Sequence, residues 1–214
     1  MSQTASARTT THRATRPIAI VLFVAVAAII GTFVVRSAPT SAPSFIDALR
    51  HGRSGAAAQA DGAVTEDDGV LPDGVTVFDD GYSGVANLDP DLLRVLRQAA
   101  TDAAASGIEF YVNSGWRSRG YQNELLSEAV STYGSESSAA RWVATADTSP
   151  HVSGEAVDIG KDDATAWLSR HGATLGLCQI YVNEPWHYEL RPAAREGRCP
   201  PMYADPTQDP RMQP

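Results

Sequence analysis

The N-terminal part of the chain contains one long apolar run, followed by a polar stretch without periodicity. From Pro17 to Val35 every residue is apolar or small and uncharged, and a helix of this length rises about 28 Å, close to the hydrocarbon thickness of a bilayer. Residues 36–70 are rich in Ala, Ser, Pro, Gly and Asp, which is typical of linkers. The pattern predicts four parts, which are a cytoplasmic tail (1–16), a transmembrane anchor (17–35), a flexible linker (36–70) and a folded domain (71–214).

Arginines around the apolar run predict its orientation. Arg8, Arg13 and Arg16 precede the run and only Arg36 follows it, so the N-terminus is expected in the cytoplasm and the domain outside. The alternative is a cleaved signal peptide and a secreted protein. Signal peptides have apolar cores of about 7–15 residues, and Ser41-Ala42-Pro43 is a poor cleavage site. We therefore expect a single-pass protein of the cell membrane with an extracytoplasmic domain.

After residue 70 the apolar positions follow helical and strand periods in short alternation. Capping residues predict helices at 90–106, 119–133 and 135–142, and one from Asp162 or Asp163 to Gly172. Short apolar runs predict strands at Ile108–Val112, Ala156–Ile159, Leu177–Val182 and His187–Leu190. Because strands and helices do not alternate regularly, the fold class expected is α+β, with a small, mostly antiparallel sheet flanked by helices.

Charge and short motifs exclude several functions. The net charge is −8, and from Leu71 onward 20 acidic residues face 11 basic ones, so the domain is a poor candidate for binding nucleic acid. The only lysine is Lys161, and the residue three positions before it is Asp158, so the Ser-x-x-Lys motif of serine peptidases is absent. Gly-x-Ser-x-Gly and His-Glu-x-x-His are absent as well.

Two cysteines, Cys178 and Cys199, lie in the domain expected outside the cytoplasm. Cysteine pairs in that environment usually oxidise, so we predict a disulfide between them. The alternative is a hydrolase that uses Cys178 as a nucleophile with a histidine. Cys178 lies in the apolar strand pattern Leu177–Ile180, which is more typical of a buried thiol than of a reactive one.

Two clusters hold the candidate chemistry, at Ser149–Asp158 and at Asn183–Glu189. His151 and His187 are both close to acidic residues, and two histidines with one carboxylate and an open position form a catalytic zinc arrangement. Asp158 lies among apolar residues of a strand, where a carboxylate needs a partner such as a metal. The spacing alone also allows a surface histidine and an aspartate paired with an arginine.

These motifs resemble those of D-alanyl-D-alanine carboxypeptidases of the VanY type, in a group shared with lysostaphin-like peptidases and the hedgehog domain. The resemblance rests on Ser-x-His-x-x-Gly-x-Ala-x-Asp at 149–158, Glu-Pro-Trp-His at 184–187, and Ser-Gly-Trp-Arg-Ser at 114–118 with Gln122. It extends over about residues 76–210. The anchor and the linker lie outside it.

The resemblance implies roles for the residues that match. It implies one Zn²⁺ ion bound by His151, Asp158 and His187, whose donor atoms should then lie about 3–4 Å apart. It further implies that Glu184 is the catalytic base and that Arg117 steadies the substrate or the oxyanion. Expected contacts with the substrate come from Ser149, Gln122 and Trp186, of which Trp186 borders the pocket through its sequence neighbour His187.

Two glutamates compete for the role of base. On an extended strand Glu189 shares a face with His187, whereas Glu184 reaches the site only if the chain turns at Pro185. This geometry leaves the choice open. The resemblance favours Glu184, which matches the base three residues before the last ligand.

The expected function is zinc-dependent D,D-carboxypeptidase activity on peptidoglycan stem peptides. The substrate would be such a stem peptide or a lipid-linked precursor. Alternatives are a peptidoglycan endopeptidase or a D-Ala-D-Ala dipeptidase of the same group, or a non-catalytic zinc-containing binding domain. The presence of Glu184 and Arg117 argues against a binding domain, because binding alone does not require a base.

Overall fold

The computed structural model describes residues 63–196 and 198–213, so the predicted tail, the predicted anchor and most of the predicted linker lie outside the described residues. Within the described part, none of the helices has the length and apolar character needed to cross a bilayer. The strands are β1 (Tyr111–Ser114), β2 (Ala156–Gly160), β3 (Leu177–Gln179) and β4 (His187–Leu190). They form one four-stranded sheet in the order β1-β2-β4-β3, in which each neighbouring pair is antiparallel. The predicted α+β class with a small antiparallel sheet is confirmed.

The helices of the described residues are α1 (Ser83–Ala86), α2 (Pro90–Ala104), α3 (Arg119–Tyr133), α4 (Glu136–Ala139) and α5 (Asp162–Leu175). Helices α2 and α3 begin at the predicted capping residues. The carboxylate of Asp89 accepts hydrogen bonds from the first turn of α2, and the hydroxyl of Ser118 accepts one from the backbone N–H of Tyr121 in α3. Gly134 ends α3 in the left-handed region, where glycine is favoured.

Several predicted boundaries are wrong. Strand β1 extends over Tyr111–Ser114 rather than Ile108–Val112, β3 ends at Gln179 rather than Val182, and α4 is shorter than its prediction. Helix α5 continues past Gly172 and ends at Leu175, with Gly176 as its C-cap. A side chain at Gly172 would place its Cβ 2.7 Å from the carbonyl oxygen of Leu177, so this glycine permits close packing inside the helix instead of ending it.

The two faces of the sheet have different surroundings. One face joins the main hydrophobic core with α2 and α5, through Val112, Val157, Ile159 and Tyr188. Because neighbouring side chains of a strand point to opposite faces, Asp158 and His187 project from the other side. They are direct partners across β2 and β4. The register of β1 shifts between Val112 and Ser114, and this bulge places Ser114 opposite Asp158.

The folded domain also includes the end of the predicted linker. The hydroxyl of Ser118 donates to the carboxylate of Asp68 at 2.8 Å, and the backbone N–H of Ser118 donates to the carbonyl of Asp68 at 2.8 Å. A short 3-10 turn at Glu66–Asp68 therefore packs against the start of α3. Residues 66–68, which precede the predicted boundary at residue 71, thus contact the domain.

Candidate metal centre

Three side chains bring their donor atoms to one point beside the sheet. Asp158 comes from β2, His187 from the start of β4, and His151 from the loop that leads into β2. His187 Nδ1 lies 3.2 Å from Asp158 Oδ1 and 3.2 Å from His151 Nε2, and the third distance, from His151 Nε2 to Asp158 Oδ1, is 3.5 Å. Donors at about 2.0–2.2 Å from a tetrahedral zinc ion lie roughly 3.3–3.6 Å apart. The three atoms thus fit three corners of such a site.

Each histidine is held by a hydrogen bond from its other ring nitrogen. His151 Nδ1 lies 2.8 Å from the carbonyl oxygen of Gly115, and His187 Nε2 lies 3.3 Å from Glu189 Oε1. Both partners are acceptors, so the facing nitrogens are free to act as ligands. Gly115 itself packs closely against α1, because a Cβ there would lie 2.0 Å from the carbonyl oxygen of Gly84.

Arg117 is buried and holds the outer oxygen of Asp158. Its Nη2 donates to Asp158 Oδ2 at 3.0 Å, its Nε to Ser114 Oγ at 2.7 Å, and its Nη1 to Gln122 Oε1 at 3.0 Å. Gln122 in turn donates from Nε2 to the carbonyl of Ala144 at 2.8 Å. Both ends of the Gln122 amide therefore form hydrogen bonds inside the protein, where they support Arg117, and the predicted contact of Gln122 with a substrate stays a prediction.

Glu184 reaches the same point through a turn. The backbone N–H of His187 donates to the carbonyl of Glu184 at 3.1 Å, and Pro185 occupies the second position of this turn, where its fixed φ is favoured. Glu184 Oε2 lies 3.8 Å from His187 Nδ1. The residue is only 7% exposed, and among the described residues no hydrogen bond reaches its Oε1. A buried carboxylate oxygen without a partner therefore borders the donor atoms.

The electrostatics of the donors suit a metal cation. Burial lowers the pKa of His151, helped by the charge of Arg117, so this ligand is neutral. Burial would raise the pKa of Asp158, but His151, His187 and Arg117 hold it far below its ordinary value, which keeps the carboxylate ionised. Burial opposes the charge of His187, yet hydrogen bonds to Asp158 and Glu189 raise its pKa to about 10 without metal. A bound metal would replace that proton.

Burial also raises the pKa of Glu184 to about 8. This value belongs to the protein without metal. A cation at the three donors would favour the charged carboxylate and lower the pKa of Glu184 toward neutrality. A carboxyl group poised near neutral pH is suited to accepting and returning a proton.

A narrow cavity opens above the donors. Besides the donor residues its walls are formed by Arg117, Gln122, Val143, Ala144, Ser149, Pro150, Tyr181, Glu184, Pro206 and Met212. Ser149 also belongs to a neighbouring polar groove, so it lies where a substrate could enter. Trp186 is half-buried and is not among the described residues that line this cavity. Its predicted contact with the substrate stays a prediction.

Cys178 and Cys199 form a disulfide, with Cα atoms 5.5 Å apart. The predicted pairing is confirmed. The alternative of a nucleophilic Cys178 is contradicted, because its sulfur is bonded and the residue is fully buried.

Sequence reasoning missed the contribution of the segment Asp205–Gln213. Asp209 accepts a hydrogen bond from Tyr181, whose ring packs against His187, and Arg211 pairs with Glu189. The only signal in the sequence was the repeated Asp-Pro at 205–206 and 209–210, which is typical of turns that begin with an aspartate cap.

Comparison with known proteins matches the central part of the chain. The model of the family described as VanY, D-alanyl-D-alanine carboxypeptidase, matches residues 86–193, which is half of the chain. A D-alanyl-D-alanine carboxypeptidase of Enterococcus faecalis is 32% identical in an alignment 111 residues long, and the match covers 40% of this chain and 41% of the relative. The chain thus spans less than half the length of that curated relative.

Two solved structures are also similar. VanYB in complex with D-alanine-D-alanine is 29% identical, with a TM-score of 0.48 over 51% of this chain and 75% of that one. The Zn(II) complex of a mutant VanY D,D-pentapeptidase from a VanB-type vancomycin resistance cassette is 29% identical, with a TM-score of 0.45 over 48% and 72% of the two chains. His151, Asp158, Glu184 and His187 lie within the family match, whereas Asp205–Gln213 lies beyond it.

Proposed function

This chain belongs to the VanY family of D-alanyl-D-alanine carboxypeptidases, and we propose that it is a zinc-dependent D,D-carboxypeptidase that removes the terminal D-alanine from peptidoglycan stem peptides. His151, Asp158 and His187 would hold the zinc ion. The names of its relatives support the substrate class, since one is a D-alanyl-D-alanine carboxypeptidase and another is bound to D-alanine-D-alanine.

The observation that carries this proposal is the position of Glu184. Its Oε2 lies 3.8 Å from a donor nitrogen, and its Oε1 is buried without a hydrogen-bond partner among the described residues. An unpaired buried carboxylate oxygen is costly unless it has a function. A site that only bound a metal for structural reasons would gain nothing from it.

Each group in the cavity has its own role in the proposed reaction. Zinc, when bound, supplies a water molecule of lowered pKa and polarises the carbonyl of the scissile bond. Glu184 accepts a proton and returns it to the nitrogen of the departing D-alanine. Such acid–base catalysis contributes roughly 10²–10⁴ in rate. Arg117 fixes the outer oxygen of Asp158. Ser149 lies in the cavity wall, and we propose that its hydroxyl donates to the terminal carboxylate of the substrate.

The first prediction concerns Glu184→Gln. The amide has nearly the same shape but cannot accept the proton, so we expect turnover to fall roughly 10²- to 10⁴-fold while zinc is retained. The measurement is release of D-alanine from a soluble pentapeptide that ends in D-Ala-D-Ala, with zinc content determined on the same samples. Glu66→Gln is the matched control, because Glu66 is exposed and lies outside the cavity.

The masses of the products distinguish a D,D-carboxypeptidase from related peptidases that cleave other bonds of the same peptide. Loss of one alanine supports a carboxypeptidase, whereas loss of the dipeptide or cleavage at an internal bond would replace it with another peptidase of this group. If Glu184→Gln hydrolysed the pentapeptide at the rate of the unchanged protein, Glu184 would not be the base. Loss of zinc in that variant would instead identify Glu184 as a metal ligand.

A further inference from the structure

The segment Asp205–Gln213, which we call the closing segment, lies against the metal centre although it is outside the family match. Pro206 and Met212 form part of the cavity wall. Two 3-10 turns make up the segment, at Pro206–Gln208 and Pro210–Met212, and each begins with an aspartate whose carboxylate accepts a backbone N–H. These caps, together with the ion pair of Asp205 and Arg141 at 2.8 Å, give the segment a defined conformation.

A first chain of contacts runs from Arg211 to His187. Arg211 donates to both oxygens of Glu189, with Nη1–Oε2 at 2.7 Å and Nη2–Oε1 at 3.2 Å. Glu189 is only 2% exposed, and its Oε1 accepts from His187 Nε2 at 3.3 Å. Arg191 also pairs with Glu189, at 2.6 Å, from the end of β4. Glu189 is therefore fixed by one arginine next to its own strand and one from the closing segment.

A second chain of contacts runs through Asp209. This residue is fully buried and accepts a hydrogen bond from the hydroxyl of Tyr181 at 3.1 Å. It also accepts from the backbone N–H of Arg211 at 3.0 Å and from its guanidinium. The ring of Tyr181 lies against the ring of His187, with centroids 5.1 Å apart. The closing segment thus supports His187 indirectly, because it holds Glu189, which is hydrogen-bonded to Nε2, and Tyr181, which packs against the ring.

We infer that Arg211 is a positioning residue for the metal ligand His187, and that the closing segment is a functional part of the metal centre. By orienting Glu189, Arg211 keeps the N–H of His187 on Nε2 and directs Nδ1 at the donor point. Partners of this kind behind a ligand histidine fix its ring orientation and raise its basicity. The inference rests on the proposed zinc site, but it does not depend on which peptide bond is cleaved.

The test is the zinc affinity of the full chain, measured by competition with a chelator. Arg211→Ala should weaken zinc binding about 10- to 100-fold, as is usual when such a partner is lost. Arg211→Lys should weaken it less, because lysine keeps the charge but cannot form the two parallel hydrogen bonds of the guanidinium. The matched control is Arg94→Ala, which removes an exposed arginine paired with Asp91 on α2 and should leave the affinity unchanged.

Thermal unfolding of the metal-free variants, followed by circular dichroism, shows whether Arg211 positions His187 or only stabilises the fold. If Arg211 only stabilises the fold, Arg211→Ala lowers the unfolding temperature and leaves the zinc affinity of the folded protein unchanged. That result would overturn the inference. If Arg211→Ala does not fold, Arg211→Lys decides by the same criterion. A wild-type chain that binds zinc but releases no D-alanine would refute the proposed function alone, whereas a wild-type chain that binds no zinc would refute both.

Discussion

Glu184 and Glu189 lie on either side of His187 and have opposite environments. Burial raises the pKa of Glu184 to about 8, and one of its oxygens has no partner among the described residues. Burial would also raise the pKa of Glu189, but hydrogen bonds to His187 and Arg211 and the charge of Arg191 lower it to about 2. Two carboxylates with separated pKa values commonly have separate tasks. Glu184 can accept and release a proton near neutral pH, whereas Glu189 stays charged.

The low pKa of Glu189 predicts how stability depends on acid. Its folded pKa of about 2 lies below its ordinary value of 4.5, so its contribution is present above about pH 4.5 and is lost as the pH falls toward 2. The full shift corresponds to about 3 kcal/mol, of which about 2 kcal/mol should be lost by pH 3. His187 does not interfere, because it is protonated in both the folded and the unfolded chain over this range.

Denaturant unfolding of the metal-free protein at several pH values measures this effect. Glu189→Gln removes the titration, so between pH 5 and pH 3 its free energy of unfolding should fall by about 2 kcal/mol less than that of the wild type. If the free energies of unfolding of the two proteins changed equally with pH, the charge of Glu189 would not stabilise the fold.

The three residues that converge on the donor point could be recognised in the sequence through the resemblance of their motifs to the VanY family, whereas their supporting contacts could not. Alternation along β4 correctly puts Glu189 on the side of His187, but it cannot reveal that two arginines occupy this carboxylate. Arg211 is separated from Glu189 by 22 residues. Pairing at such a distance depends on the path of the chain, about which local patterns give no information.

At the scale of elements, the disulfide closes a loop that carries Glu184 and strand β4. The cysteines are 21 residues apart, which corresponds to about 3 kcal/mol of stabilisation through the lost freedom of the unfolded chain. Replacing both with alanine should lower the free energy of unfolding by about this amount. Alanine is preferable to serine, because Cys178 is fully buried and a hydroxyl there would lack a partner.

Denaturant unfolding with and without reductant provides the check on this prediction. Reduced wild type should approach the stability of the double alanine variant, and the variant itself should not respond to reductant. Equal stability of the oxidised wild type and the variant would contradict the entropic account.

Element ends show where local patterns succeed and fail. Asp89, Ser118 and Gly134 delimit helices as predicted, because capping depends on residues within one turn. Gly172 was misread as a helix end, since its role comes from contact with Leu177 of the next strand. The bulge that aligns Ser114 with Asp158 was equally invisible, because register depends on both strands.

At the scale of the whole molecule, we propose that residues 17–35 anchor the domain at the outer face of the membrane. Deleting residues 1–36 should then abolish membrane retention and leave hydrolysis of a soluble pentapeptide intact, because the described domain contains the whole candidate site. Membrane fractionation and peptide assays of both forms measure this. Full-length protein found free in the medium, with a new N-terminus near residues 38–45, would identify a cleaved signal peptide instead.

The position of the closing segment in the chain has a consequence for limited proteolysis. Pro200, Pro201 and Met202 are exposed and lie between the three donors, His151, Asp158 and His187, and Arg211. A cut there leaves every donor on one piece of the chain and the arginine that orients one of them on the other. Loss of the released piece should then weaken zinc binding as Arg211→Ala does, although no donor has been removed.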